Sequence, residues 1–316
     1  MINLVSLIKR NKIENPPWNY SFLQNLDVRE YPLYLAELFK LNTGENLPLS
    51  FDFKKQAWVI DKKRCKTFNQ KIQWIKLYGV TPLMCDCTDK IKVRNYVKEK
   101  IGEEYLKPVL QMCDNFDEID FEKLPNAFVL KCNHGCKWHY IIKSKNEFLN
   151  NQKLFQAIKQ QMTGWLEQNF CWWGGFELQY LNIKPKILIE PLMREQLDKT
   201  SETINIYCFN GNPQIIIHFF DDKKMSIWDE NFKPMENIFD FSEENIKKEA
   251  DNLIKQAFVL SKQLAVDFCF VRVDWMIFKH RIYFEELTCT PYSGFNVLKD
   301  MTVNLKLGKL INIERI

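Results

Sequence analysis

The chain has 316 residues (37.9 kDa), 46% of them hydrophobic and 27% charged, the balance of a folded protein with room for two or three packed lobes rather than of a disordered one. Its 36 Lys and 8 Arg against 40 acidic residues leave a net charge of +4 with no long basic run, which argues against a nucleic-acid partner. Only 10 glycines occur and none forms G-x-G-x-x-G or G-x-x-x-x-G-K-[ST], so a Rossmann fingerprint and a Walker loop are excluded.

Residues 1–80 read as a mainly helical region broken at Pro16, Pro17, Pro32, Gly44 and Pro48. Its apolar start is interrupted at Lys9 and Arg10, too early for a secretory signal, and no apolar run approaches the ~20 residues of a membrane span. A cytoplasmic protein without a transmembrane segment is therefore expected, with its ten cysteines as free thiols. From Thr88 the spacing predicts a helix capped by Thr88 or Asp89, with Val93, Tyr96, Val97 and Ile101 on one face and an end near Gly102. Residues 128–131 and 140–143 predict two strands around a loop, and Leu154, Phe155, Ile158, Met162, Trp165 and Leu166 stripe a helix over about 151–168. A strand at 187–190 ends at Pro191. Further strands are expected at 203–209, 214–220, 269–278 and 281–288, with an amphipathic helix over about 243–265. Strands and helices mix without regular alternation, so the class is α+β with antiparallel sheets.

The strongest chemical signal lies in Val271-Arg272-Val273-Asp274, a turn, and Glu285-Glu286-Leu287-Thr288. Side chains alternate along a strand, so Arg272 and Asp274 share one face, as do Glu286 and Thr288. A three-residue turn (279–281) sets Asp274 opposite Glu286; a two-residue turn sets it opposite Glu285, and spacing leaves both open. Two carboxylates so placed repel unless a cation such as Mg²⁺ sits between them, although an exposed face with Arg272 bridging the acids has the same pattern. Cys132, His134, Cys136 and His139 fall within eight residues but lack the paired Cys-x₂-Cys spacing of a structural zinc site. Trp172, Trp173 and Phe176 suit either a core or a platform for a sugar ring.

Six motifs in order carry a family likeness: Thr-Asp-Lys-x₂-Val-Arg-x-Tyr-Val (88–97), Leu-Pro-x₂-Phe-Val-Leu-Lys-Cys-Asn-His-Gly (124–135), Lys-Pro-Lys-Ile-x₂-Glu (184–190), Tyr-Cys-Phe-Asn-Gly (207–211), Val-Arg-Val-Asp (271–274) and Glu-Leu-Thr-x-Thr-Pro-x-Ser-Gly (286–294). Together they resemble the TupA-like branch of the ATP-grasp superfamily, associated with teichuronopeptide and capsular polysaccharide synthesis; residues 1–70 lie outside the likeness. The resemblance implies an ATP-grasp fold, in which two sheet-bearing lobes clamp ATP and a mobile loop replaces a Walker loop. It divides the chain into a helical region (1–80), a first lobe with the phosphate loop (81–192) and a second with the metal-binding hairpin (193–316).

By the same resemblance, Lys90 and Lys131 approach the phosphates, and the loop holding His134 and Gly135 closes over them. Lys143 joins this set, a solvated surface position being its open alternative. Glu190 and the stretch to Leu192 and Met193 form the hinge that reads adenine, and Glu195 or Asp198 takes the ribose. Asp274 and Glu286, with Thr288, hold Mg²⁺, and Arg272 stabilises the transferred phosphoryl group. The likeness selects Glu286 over Glu285. Three departures stand out: Cys136 and Lys137 where the loop usually has a small residue and Gly, Asn205 where a basic residue is usual, and Thr288 in place of an amide ligand. The implied activity is an ATP-dependent ligase joining a carboxylate, such as a uronic acid of a nucleotide sugar or glycan, to a small amine or amino acid. A kinase on the same fold and a non-catalytic polysaccharide-assembly protein are the alternatives.

Overall fold

Side-chain caps decide where several helices begin, and in two places they begin elsewhere than the apolar spacing suggests. The computed structural model describes residues 25–315 apart from 174, 195–200, 221–223, 241–243, 247–248 and 297. Helix α1 (Tyr31–Thr43) carries Pro32 in its first turn and stops at Gly44, whose φ of 74° is left-handed. A hairpin of β1 (Leu49–Asp52) and β2 (Ala57–Ile60) follows, an element absent from the helical reading of this region. Helix α2 (Phe68–Tyr78) opens with a capping box between Thr67 and Gln70.

The helix expected from Thr88 is split. Thr81 caps α3 (Pro82–Thr88), so Thr88 is its last residue and bonds back to the Met84 carbonyl. Asp89 caps the Ile91 N–H instead, and the apolar face resumes in α4 (Val93–Ile101), which ends at Gly102. Beyond it lie β3 (Gln111–Cys113), β4 (Phe128–Cys132), β5 (His139–Ile142), α5 (Lys145–Asn150), α6 (Gln152–Leu166), the short α7 (Phe170–Trp173) and β6 (Ile187–Pro191). The four strands form an antiparallel sheet ordered β3-β6-β4-β5. Phe128, Leu130 and Ile189 of this sheet pack with Ile158 and Met162 of α6, all nearly inaccessible to solvent. Each such side chain contributes about 1.5–3 kcal/mol by burial.

The second sheet is larger. Strands β7 (Thr203–Phe209), β8 (Asn212–Phe220), β9 (Lys224–Asp229) and the two-residue β10 (Glu244–Asn245) precede helix α8 (Asn252–Ala265). Strands β11 (Phe270–Phe278) and β12 (Arg281–Thr288) complete the order β10-β9-β8-β7-β11-β12, antiparallel except at β9–β10. The helix expected over 243–265 is thus shorter. Asp251 caps it from the Ile254 N–H, while Ile246 bonds to Met225 and draws residues 244–246 to the sheet edge. Helix α9 (Met301–Leu310) closes the chain against α2. The second core joins Ile206 and Val273 of the sheet with Ile254 and Leu264 of α8 and Phe68 of α2.

The hairpin joining β11 to β12 resolves the open register. Lys279 and His280 form a two-residue turn with φ of 48° and 57°, since Phe278 pairs with Arg281. A two-residue turn alone would set Glu285 opposite Asp274. The ladder instead shifts between Asp274 and Trp275: Trp275 pairs with Phe284 and Asp274 with Glu286, leaving Glu285 as the extra residue of a bulge.

Candidate active site

Pairing of Arg272 with Thr288 and of Asp274 with Glu286 gathers four polar side chains on the hairpin. Arg272 donates Nε and Nη2 to Asp274 Oδ1 and Oδ2 at 2.7 and 2.5 Å, and its Nη2 lies 3.3 Å from Thr288 Oγ1 and 3.5 Å from Glu286 Oε1. Thr288 donates to Glu286 Oε1 at 2.8 Å. The Asp274 side chain is 9% exposed and that of Glu286 36%. Burial pushes the Asp274 carboxyl up to about 7 in spite of Arg272, and the negative Glu286 adds to the effect. Burial also raises Glu286, but Lys90, Arg272 and the Thr288 hydroxyl outweigh it and hold that carboxyl below its ordinary value.

This donor set suits Mg²⁺. Asp274, Glu286 and Thr288 present hard oxygens, and a cation between the two acids would offset both the burial that raises Asp274 and the smaller repulsion from Glu286. Among the described residues no group of three or more His, Cys, Asp or Glu side chains gathers as a metal site, so the remaining ligands would come from phosphate and water. The segment that invited a zinc reading is dispersed: Cys132 and His134 are buried, whereas Cys136 and His139 are exposed.

Lys90 is tied to the loop between β4 and β5: its ammonium donates to the Gly135 carbonyl at 2.7 Å and its N–H to Asn133 O. The Asn133 amide bridges Asp89 and Lys184 O, and its Oδ1 accepts from Lys186 N, so the loop base is fixed on both sides. His134 Nε2 sits 3.0 Å from Trp165 O, which makes it an anchor of the loop, and burial lowers its pKa. Gly135 has no room for a side chain: a Cβ there would lie 2.4 Å from the Trp138 ring. Beyond it Cys136 and Lys137 are exposed, the latter with φ of 59°.

Lys131 and Glu190 come together as an ion pair of 2.6 Å on the neighbouring strands β4 and β6. Lys107, which sequence reasoning missed, bonds Glu285 at 2.7 Å and Glu190 at 3.3 Å. Burial, with the nearby Lys107 charge, lowers Lys131 to about 8, whereas the two lysines hold Glu190 below its ordinary value against its own burial. Leu192 donates its N–H to Ala127 O at 3.4 Å, Met193 is half-buried and Lys143 is exposed just past β5. Glu195 and Asp198, expected at the ribose, lie outside the described residues.

A cavity of about 910 Å³ adjoins the hairpin. Lys90, Arg272, Glu286 and Thr288 line it, together with Cys136, Lys137 and Asn205; Asp274, Lys131, His134, Gly135, Lys143, Glu190, Leu192 and Met193 do not. The lining also includes an aromatic group, Trp138, Trp165, Phe170, Trp173 and Tyr180, together with Glu177 and Gln179. Of the possible sugar platform, Trp172 and Phe176 pack against Tyr31 in the core and Trp173 alone faces the cavity.

A family model described as TupA-like ATPgrasp matches residues 70–312. The chain belongs to the TupA-like ATP-grasp family. The match agrees with the six sequence motifs, all of which fall within it, and with the α+β two-sheet architecture. Solved structures similar to this TupA-like chain include D-alanine–D-alanine ligase from Bacillus anthracis complexed with ATP, at 13% identity over 79% of this chain and 76% of that one, TM-score 0.41. The D-alanine–D-alanine ligase of Helicobacter pylori is 14% identical over 84% and 77%, TM-score 0.41. An L-amino acid ligase of Bacillus licheniformis is 12% identical over 70% and 48%, TM-score 0.42. No curated protein matches the sequence significantly. Among the described residues of this family member, no helix is long and apolar enough to cross a membrane.

The sequence reading missed Lys107, which lies beside the Lys131–Glu190 pair, and Glu177, which lines the cavity. Lys107 precedes Pro108 in a segment without periodicity, and Glu177 stands alone among aromatics; the only local cue was a charge inside an otherwise apolar stretch.

Proposed function

We propose that this protein is an ATP-dependent carboxylate–amine ligase, with a uronic acid of a nucleotide sugar or cell-surface polysaccharide as the acid and a small amine or amino acid as the nucleophile. The observation that carries the reading is the facing pair Asp274 and Glu286, bracketed by Arg272 and Thr288, with Glu286, Arg272 and Thr288 on the wall of a cavity of about 910 Å³ and Asp274 buried behind them. The uronic acid rests on the association of the TupA-like family with teichuronopeptide and capsular polysaccharide synthesis.

In this reading residues 81–192 and 193–316 act as the two halves of the clamp. Mg²⁺, when bound, neutralises charge on the nucleotide phosphates and helps the γ-phosphorus accept a nucleophile. Asp274, Glu286 and Thr288 would hold it. Lys90 and Lys137 supply positive charge beside the loop that closes over the phosphates, and Lys131 and Glu190 support the nucleotide side. Arg272 balances the charge on the phosphoryl group in flight.

The substrate carboxylate attacks the γ-phosphorus, the bond to the β-phosphate oxygen breaks, and ADP leaves behind an acyl phosphate. The amine nitrogen then attacks the acyl carbon, the carbon–oxygen bond to phosphate breaks, and the amide forms with loss of a proton. Neither step needs a protein nucleophile, because positioning and charge neutralisation carry the first.

The test supplies ATP, Mg²⁺, a uronic-acid donor and a panel of amines, and follows ADP release with hydroxylamine as a trap. Hydroxamate formation is expected; a phosphate ester indifferent to hydroxylamine would make the protein a kinase. Asp274→Asn and Glu286→Gln should each lower turnover at least a hundredfold while the protein still unfolds cooperatively well above the assay temperature, in line with loss of a charge-stabilising group. Near-normal activity in both would overturn the metal assignment.

A further inference from the structure

Glu177 is a buried carboxylate, 6% exposed, on the cavity wall, and the ligase chemistry outlined above leaves it without a task. An ionised carboxylate taken out of water is costly unless opposite charge and hydrogen bonds compensate it. Its polar contacts are neutral: the Thr290 hydroxyl donates to Oε1 at 2.5 Å, and the Gln179 amide, itself bonded to Thr290 Oγ1 at 2.7 Å, stabilises the charge. Lys76 acts on Glu177 through space but uses its own ammonium elsewhere. That group donates to Gln73 Oε1 at 3.0 Å, Ser293 O at 2.9 Å and Ser293 Oγ at 2.8 Å. Burial accordingly pushes the Glu177 carboxyl up, an effect that Lys76 only partly offsets and to which the Glu286 charge adds.

The surroundings indicate what cation belongs there. Trp138, Trp165, Phe170, Trp173 and Tyr180 line the same cavity, and aromatic faces attract an ammonium while stacking on a ring or apolar body. Trp173 also holds a buried indole N–H with no acceptor among the described residues. Thr290, which bonds Glu177, stands two residues beyond Thr288, so this wall adjoins the hairpin where the acyl phosphate would form.

We propose that Glu177 and the aromatic wall beside it bind the ammonium group of the amine substrate, carried on a ring or other apolar body. The assignment rests on the ligase reading for its role, and names the acceptor half of that site.

The experiment measures binding to the full chain by saturation-transfer NMR, comparing benzylamine with benzyl alcohol and cyclohexylamine with cyclohexanol. The protein should favour each amine over its alcohol at least tenfold, and Glu177→Gln should erase that preference. Equal binding of amine and alcohol, binding of neither amine, or a preference retained in Glu177→Gln overturns the proposal. Should Glu177→Gln fail to unfold cooperatively, Trp173→Leu replaces it: amine affinity is expected to drop at least fivefold, and an unchanged affinity overturns the proposal. Hydroxylamine trapping with the unaltered protein is scored separately. Absence of hydroxamate there defeats the ligase reading, whereas the amine–alcohol comparison still decides the role of Glu177.

Discussion

Glu190 sits between two lysines, 2.6 Å from Lys131 and 3.3 Å from Lys107, with only 6% of its side chain exposed. The sequence reading assigns Lys131 to phosphate and Glu190 to the adenine hinge as independent residues. The pairing of β4 with β6 makes them one buried unit instead, a long-range consequence that no local pattern encodes. The lysines hold the folded carboxyl below its ordinary 4.5, so on acidification the unfolded chain takes up the proton first. Glu190 therefore adds stability above about pH 4.5, and the contribution is lost as pH falls through the folded value. Glu190→Gln should destabilise the protein by about 3 kcal/mol near neutrality, because the buried Lys131 ammonium loses its partner and Lys107 one of its two. The deficit should shrink as pH falls below 4.5 and through the lower folded value, where the native carboxyl is protonated as well. Urea unfolding of both proteins across this range measures it; a deficit independent of pH would reject the account.

At the level of elements, most strands and the α6 stripe were legible because period-two and period-3.6 patterns are local. That a turn joins β11 to β12 was legible as well, but its length was not, nor the bulge at Glu285, since an extra residue leaves no mark in alternation until its partner strand is known. The same limit hid the split at Thr88, where two adjacent caps, Thr81 and Asp89, compete with an apolar face that reads as continuous. Glycine shows the point in energetic form. In α9, a Cβ on Gly308 would lie 2.2 Å from the Lys66 carbonyl oxygen and 2.7 Å from the Thr67 carbon, backbone that cannot swing away. In α6, a Cβ on Gly164 meets nothing within 4 Å. Gly164→Ala should stabilise by about 0.5–1 kcal/mol through helix propensity. Gly308→Ala should destabilise by about 1–3 kcal/mol through overpacking of α9 on the start of α2. Thermal unfolding of the two variants should shift in opposite directions; a shift of the same sign would disprove the packing argument.

Across the whole molecule, the segment just after α4 ties the two sheets together. Leu106 bridges Phe284 on β12 of the larger sheet, and Leu110 then bonds Ile189 on β6 of the smaller one. Lys107 lies between these contacts and links Glu285 of one sheet to Glu190 of the other. The bulge supplies Glu285 to this tie while Glu286 faces Asp274, so one irregularity in pairing serves both the cavity and the joint between lobes. Lys107→Met should accordingly act in two ways. It leaves Glu285 unpaired and Glu190 with Lys131 alone, a loss of about 3 kcal/mol for a partner removed from a buried network. Because the lost contacts span the two sheets, the joint should loosen more than either core. Hydrogen exchange should therefore accelerate in the 106–111 segment and at the edges of β6 and β12, with slow exchange retained in the cores around Leu130 and Val273. Uniform acceleration through both cores would show instead that Lys107 contributes only to global stability and that the two sheets are joined elsewhere.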